Sequence, residues 1–388
     1  MRAVIVDLLC TLPFYSGEQA RALRDDGVDA ELASPRYYLD PRFLDAYPRS
    51  TWIRDLAVHA ARPRPLRLVI RAIEGSLNYV RLLGRIRARD YDVVNVQWIP
   101  FEEKAWFMPT LRSQCDRAGT LLVLTVHDVV PHDRVRSDLA GFRQNLDCAH
   151  LIVALTEHVA IELSRDVGTV SPVVVIPCGP IFADHRLPPR DEALDRLGHP
   201  SGPIVLFLGL IRPYKGLDLL SEAWEDVRRS FPEATLLVVG KVLGDEASLQ
   251  VQRLREHEGV RVVDRYVPVD EVLDYHAVAD VVVFPYRRIS QSGAVMTAAS
   301  LGRPTVITPL AGLQEQVDRL QSAVVADEIS GAAIARALIH SLERRGELAA
   351  AAERDRAAIA DSPIGWASIA RATVVAYESN LRMLRGQD

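Results

Sequence analysis

Cysteine is scarce and dispersed: Cys10, Cys115, Cys148 and Cys178 are the only four in 388 residues, with no C-x-x-C pair. That spacing excludes a zinc ribbon, a thioredoxin-like centre and a disulfide framework, and it fits reduced thiols. Long apolar runs are missing too, so no segment reaches the roughly 20 residues a spanning helix needs. The apolar start Ala3-Val-Ile-Val6 is broken by Asp7, too early for a secretory leader. A cytoplasmic protein is expected. After that first strand only Gly17 stands where a G-x-G-x-x-G fingerprint would be, which argues against a nicotinamide dehydrogenase. Charge of neither sign dominates, and a net charge of −5 gives no reason to expect nucleic acid as partner.

What is present is an ordinary globular balance, 48% hydrophobic and 25% charged, on a chain long enough for two domains. Its most informative stretch is Val205-Leu-Phe-Leu-Gly-Leu-Ile-Arg-Pro-Tyr-Lys-Gly-Leu-Asp-Leu-Leu220. The apolar residues 204–208 read as a buried parallel strand closed by Gly209. A short loop then carries Arg212 and Lys215, and Gly216 opens a helix with Leu219, Leu220, Ala223 and Val227 on one face. Two cations on a strand-to-helix loop, beside a helix N-terminus, make a pocket for a phosphate-bearing ligand.

The matching half lies some seventy residues on. Asp280-Val-Val-Val-Phe-Pro285 is a second buried strand, followed by the polar loop Tyr286-Arg-Arg-Ile-Ser-Gln-Ser-Gly293 and a small-residue helix from Ala294 to Leu301. Ser292 and Gly293 are expected to expose free backbone N–H groups at that helix start. Thr305-Val-Ile-Thr308 is a third strand, leading into the loop Pro-Leu-Ala-Gly-Leu-Gln-Glu315.

These stretches resemble the donor half of a GT-B glycosyltransferase of family four, the retaining enzymes that use nucleotide sugars. The resemblance covers residues 203–325 well and the N-terminal half more loosely. It implies two Rossmann-like α/β domains facing across a cleft: an acceptor domain at 1–180, a linker at 181–202, and a donor domain at 203–363. A last helix within 364–388 would cross back onto the first domain. By the same resemblance Gly209, Arg212, Lys215, Tyr286, Gln291, Ser292, Gly293, Ala294 and Glu315 would bind the donor. Ser16 and Gly17 would form a phosphate or acceptor loop, and His127 with Asp128 the catalytic pair of the first domain. No metal and no cofactor is implied beyond the nucleotide-diphosphate sugar as co-substrate. The acceptor stays open among a glycan, a lipid-linked sugar and a small molecule.

The chain departs from the family in two places. Aligned on Ala298, Gly302 and Pro304, the two family glutamates fall on Ile289 and Thr297, neither a carboxylate. Pro-Cys-Gly-Pro180 stands where the family shows Pro-His-Gly. A non-catalytic relative that binds a nucleotide sugar or a partner protein is therefore the second reading.

Elsewhere the alternation of strand and helix signals a doubly wound parallel sheet in each half. A helix is expected from Glu18 to Asp25, and another over 331–360. His127-Asp-Val-Val-Pro-His-Asp133 ends the strand over 120–126, and its histidine spacing does not suit a zinc site. Residues 62–89 carry eight arginines against the single acid Glu74, with Leu66, Val69, Ile70, Ile73, Leu77 and Val80 at helical spacing. Two readings stay open for this helix: peripheral docking at an anionic inner membrane face, or an Arg-rich solvated face.

Overall fold

The computed structural model describes residues 1–37, 40–57, 64–99, 106–127, 129, 139–199 and 202–387. Contacts divide the chain into two units, Met1–Gly179 with Asp361–Asp388, and Pro180–Ala360.

The first unit is built from β1 (Arg2–Val6), α1 (Pro13–Asp25), β2 (Asp29–Ala33), α2 (Arg64–Arg87), β3 (Val93–Val96), α3 (Phe107–Ala118), β4 (Leu121–Val126), α4 (Leu139–Leu146), β5 (Leu151–Ala154), α5 (Glu157–Glu162) and β6 (Val173–Val175). Its sheet runs β2-β1-β3-β4-β5-β6, parallel throughout. Every residue of β3, β4 and β5 is buried, as a strand covered on both faces by helices requires.

The second unit continues with α6 (Arg190–Leu197), β7 (Ile204–Leu208), α7 (Leu217–Ser230), β8 (Thr235–Val239), α8 (Asp245–Arg255), β9 (Val260–Val263), α9 (Val269–Val278), β10 (Val281–Phe284), α10 (Gly293–Ser300), β11 (Thr305–Ile307), α11 (Ala311–Val317), β12 (Ala323–Val325), α12 (Gly331–Glu343) and α13 (Arg345–Ile359). Its parallel sheet runs β12-β11-β10-β7-β8-β9. The strand order therefore reverses between β7 and β10, and such a reversal opens a crevice at the strands' C-terminal ends.

The closing helix α14 (Trp366–Arg385) belongs to the first unit. Tyr377 on it is fully buried, and its hydroxyl accepts a 2.6 Å hydrogen bond from Asn95 Nδ2. Arg385 reaches Asp92 at 2.7 Å, and the Trp366 indole fills the space a Cβ on Gly179 would take.

Several elements differ from expectation. α1 begins at Pro13 rather than residue 18, because proline at the first helical position presets φ and needs no N–H partner. The stretch read as linker contains α6, whose Ala193 and Leu194 pack into the second core. Residues 331–360 form two helices, broken at Arg344. α4, α11 and β12 were not foreseen.

α2 is the least expected surface. Tyr79, Leu82, Leu83 and Ile86 are buried, whereas Leu66, Val69, Ile73, Leu77 and Val80 are exposed at 42–65%. The exposed residues recur at three- and four-residue steps and form one continuous apolar stripe.

Candidate active site

The second domain's reversal point is occupied by the loops after β7 and β10. Pro213–Lys215 forms a single 3₁₀ turn, and Gly216 follows at φ 72°. Only glycine fits there: a Cβ would stand 1.8 Å from the Pro285 carbonyl oxygen, so the two loops meet backbone to backbone. Arg287 N donates to Tyr214 O at 2.9 Å, and the Arg287 guanidinium pairs with Asp218 at the start of α7.

This packing fixes the lysine. Lys215 Nζ lies 3.8 Å from the centre of the Tyr286 ring and 5.2 Å from that of Tyr214, a cation held against two aromatic faces. Tyr286 is 1% exposed, and burial holds its phenol well above the usual range, so the ring stays neutral. Arg212, half-buried, precedes the same turn. Gly209 closes β7 with its N–H on Val239 O at 3.0 Å.

The β10–α10 loop is held from below. Thr308 Oγ1 donates to Tyr286 O at 2.6 Å. Gly312 lets α11 approach so closely that a Cβ there would lie 1.9 Å from Ser290 O. Ser292 N donates to Gln316 Oε1 at 2.7 Å, so the expected free N–H of Ser292 is taken by a side chain of α11. The side chain of Ser292, the N-cap residue, does not cap α10. The N–H groups of Gly293 and Ala294 lie in its first turn, where a helix offers no intrahelical acceptor. Gln291 is buried beside them. Glu315 is exposed and sits on α11, not in a loop.

The two positions where the family carries glutamate have other work here. Ile289 packs against the second core, and Thr297 Oγ1 donates to Gly293 O at 3.0 Å within α10.

In the first domain, the ends of β3 and β4 share a buried polar network. Gln97 Nε2 donates to Gln19 Oε1 at 2.8 Å and to Asn95 Oδ1 at 3.0 Å. Gln97 Oε1 lies 3.2 Å from His127 Nε2; an amide oxygen only accepts, so that nitrogen carries the proton. His127 is 6% exposed and stands edge-on to Tyr15 at 4.9 Å. Asp128 and His132 lie outside the described residues. Ser16 and Gly17 lie within α1, buried, and not in a loop; a Cβ on Gly17 would press on the Tyr47 ring at 3.0 Å. The loop before α1 is closed on itself, with Asp7 accepting from Thr11 N and Leu12 N at 2.9 and 2.8 Å. Burial raises the Asp7 pKa, and those two N–H bonds oppose the rise.

Gln316, Thr308, Gly312, Gln97 and Asn95 were not singled out from the sequence. Each acts on a residue distant along the chain.

Two doubly wound parallel domains, the second with cations and a helix N-terminus at its reversal point, define a GT-B glycosyltransferase architecture. Family models agree, matching "Glycosyl transferase 4-like domain" over residues 14–179 and "Glycosyl transferases group 1" over residues 202–344. The chain belongs to the family-four type of GT-B glycosyltransferases. A D-inositol 3-phosphate glycosyltransferase from Xylanimonas cellulosilytica is 28% identical over 313 residues, 74% of this chain and 72% of that protein. Two further proteins of that description, from Jonesia denitrificans and Segniliparus rotundus, are matched over 59% and 50% of their length. Among solved structures, sucrose-phosphate synthase from Thermosynechococcus elongatus shares the fold at a TM-score of 0.71, with 19% identity, covering 97% of this chain and 98% of that one.

Proposed function

We propose that this protein transfers a sugar from a nucleoside-diphosphate donor to an acceptor hydroxyl, with retention at the anomeric carbon. The supporting observation is the clamp at the reversal point: Lys215 against Tyr286, Arg212 just before the same turn, and the N-terminal turn of α10. In the proposed mechanism these cations and N–H groups take the charge that builds on the departing diphosphate, without a metal ion. The relatives are named as transferases, which favours catalysis over a purely binding relative.

His127 is proposed as the residue of the first domain that meets the donor sugar, its ring held by Gln97 and Tyr15. The acceptor is a hydroxyl of a glycan, a lipid-linked sugar or a small molecule. Mycolicibacterium smegmatis supplies one relative, 30% identical over 162 residues, 36% of this chain and 42% of that protein, named a GDP-mannose-dependent alpha-(1-6)-phosphatidylinositol monomannoside mannosyltransferase. That name and the α2 surface support a cytoplasmic enzyme working at the inner membrane face. No described helix is long and apolar enough to cross a membrane. Docking would instead insert the exposed stripe of α2. The arginines contribute less than their number suggests, because Arg81 donates to Trp52 O and Arg87 to Gln114, both within the fold.

Release of nucleoside diphosphate from a panel of nucleotide sugars tests the activity, and NMR of the product's anomeric proton tests retention. A folded protein that binds a donor without turning it over, with any acceptor class, would establish the binding-only reading instead.

A further inference from the structure

A second charged cavity lies in the donor domain, beside the N-terminal end of β11 and away from the Lys215 loop. It has a volume of ≈ 450 Å³ and is lined by His185, Arg186, Leu301, Arg303, Glu353 and Arg356. Leu187 and Pro188 add apolar wall.

The cavity is short of acceptors. Arg303 has a side chain only 19% exposed, yet its Nε is buried with no hydrogen-bond partner among the described residues. Its other contacts are long: Nη1 stands 3.5 Å from Ala279 O, and Nη2 stands 3.8 Å from Glu353 Oε1. His185 Nδ1 is likewise buried without a partner. Glu353 is engaged by Arg356, whose Nε donates to Oε2 at 2.9 Å. Burial lowers the Arg303 pKa; Glu353 opposes this and Arg190 adds to it. A guanidinium taken from water without its acceptors is costly to hold, and an oxyanion entering the cavity would offset that cost.

We infer that this cavity binds a small organic phosphate monoester. Three guanidinium groups against one carboxylate leave two positive charges, which match the charge of a phosphate monoester near neutral pH. The fork of a guanidinium pairs with two phosphate oxygens at once. The volume falls in the ~300–1,000 Å³ range of small-molecule sites, and the apolar wall suits an organic body attached to the phosphate. The inference does not depend on the transfer activity.

Isothermal titration of the full chain tests it with three probes: glucose 6-phosphate, inorganic phosphate and glucose. All are run in a Lys215→Ala background, so that phosphate does not occupy the donor loop. Glucose 6-phosphate should bind and glucose should not. Arg186→Gln with Arg356→Gln, on two side chains with exposed reach, should weaken glucose 6-phosphate by about tenfold or more, with the melting temperature kept. Arg303→Gln should do the same and serves as the second variant. Inorganic phosphate binding as tightly as the sugar phosphate would support the oxyanion site and overturn the organic body. Absence of binding by both phosphates, or an unchanged affinity in both variants, would overturn the site.

Discussion

Replacing Gly216 by alanine tests how the loops after β7 and β10 are held. The residue stands at φ 72°, where a side chain costs about 1–2 kcal/mol. Its Cβ would also lie 1.8 Å from the Pro285 carbonyl oxygen. Ordinary contact therefore requires the loops to separate by roughly 1.5 Å or more, and overpacking of that kind costs about 1–3 kcal/mol. Together the two effects should lower unfolding free energy by about 2–5 kcal/mol. The same separation moves Lys215 off the Tyr286 ring, and a misplacement near 1 Å lowers kcat/KM on the order of 10²-fold. Urea unfolding and steady-state kinetics on one preparation read both effects. Gly346→Ala is the control, because it lies in α13 with nothing within 4 Å of the new methyl. It should leave activity alone and raise stability by up to ~1 kcal/mol. A Gly216→Ala protein with stability within ~0.5 kcal/mol and activity within about twofold of the parent would refute the packing argument.

Three other outcomes are expected. His127→Ala should lower kcat while leaving nucleoside-diphosphate affinity nearly unchanged; full turnover in the folded variant would remove His127 from the mechanism. Ile73→Glu with Val80→Glu, two exposed positions on α2, should abolish co-sedimentation with anionic vesicles and keep donor turnover; parent protein that ignores vesicles at low salt would leave the solvated-face reading. His276 is 2% exposed, and burial lowers its pKa from 6.5 to about 4, while its Nδ1 stands 2.8 Å from Val272 O. The stability it confers is present above pH 6.5 and is lost as pH falls toward 4. Between pH 7 and 5 the loss should be roughly 2 kcal/mol, and His276→Gln should remove that part of the slope in urea unfolding.

The loops after β7 and β10 were legible because their signals are local. A strand of apolar residues, a glycine, two cations and a helix start occupy a dozen consecutive positions around Lys215, and Gly216 marks where the backbone must turn. Proline at residue 13 was an equally local start signal for α1 and was passed over in favour of Gly17. Other features had no local signal. Ser292 loses its free N–H to Gln316, 24 residues further on, and only the tertiary approach allowed by Gly312 creates that bond. The apolar period of α2 announces a helix with a stripe, but periodicity does not say which stripe faces the sheet. Tyr79, Leu82, Leu83 and Ile86 took the inner face, leaving five apolar residues outside. The proline- and arginine-rich stretch before β7 read as linker, yet it contains α6, because Ala193 and Leu194 find cover against α9.

The central claim, that Arg212 and Lys215 hold a donor diphosphate at the reversal point of the second sheet, is tested most directly by one paired measurement. A panel of nucleotide-diphosphate sugars is titrated into the parent and into Lys215→Ala, reading melting temperature and diphosphate release together. The account predicts that at least one donor stabilises the parent, since a ligand bound only by the folded state raises its stability. It also predicts that Lys215→Ala loses that shift and on the order of 10²-fold or more in kcat/KM. A Lys215→Ala protein that still binds and turns over the same donor within about twofold of the parent would contradict it.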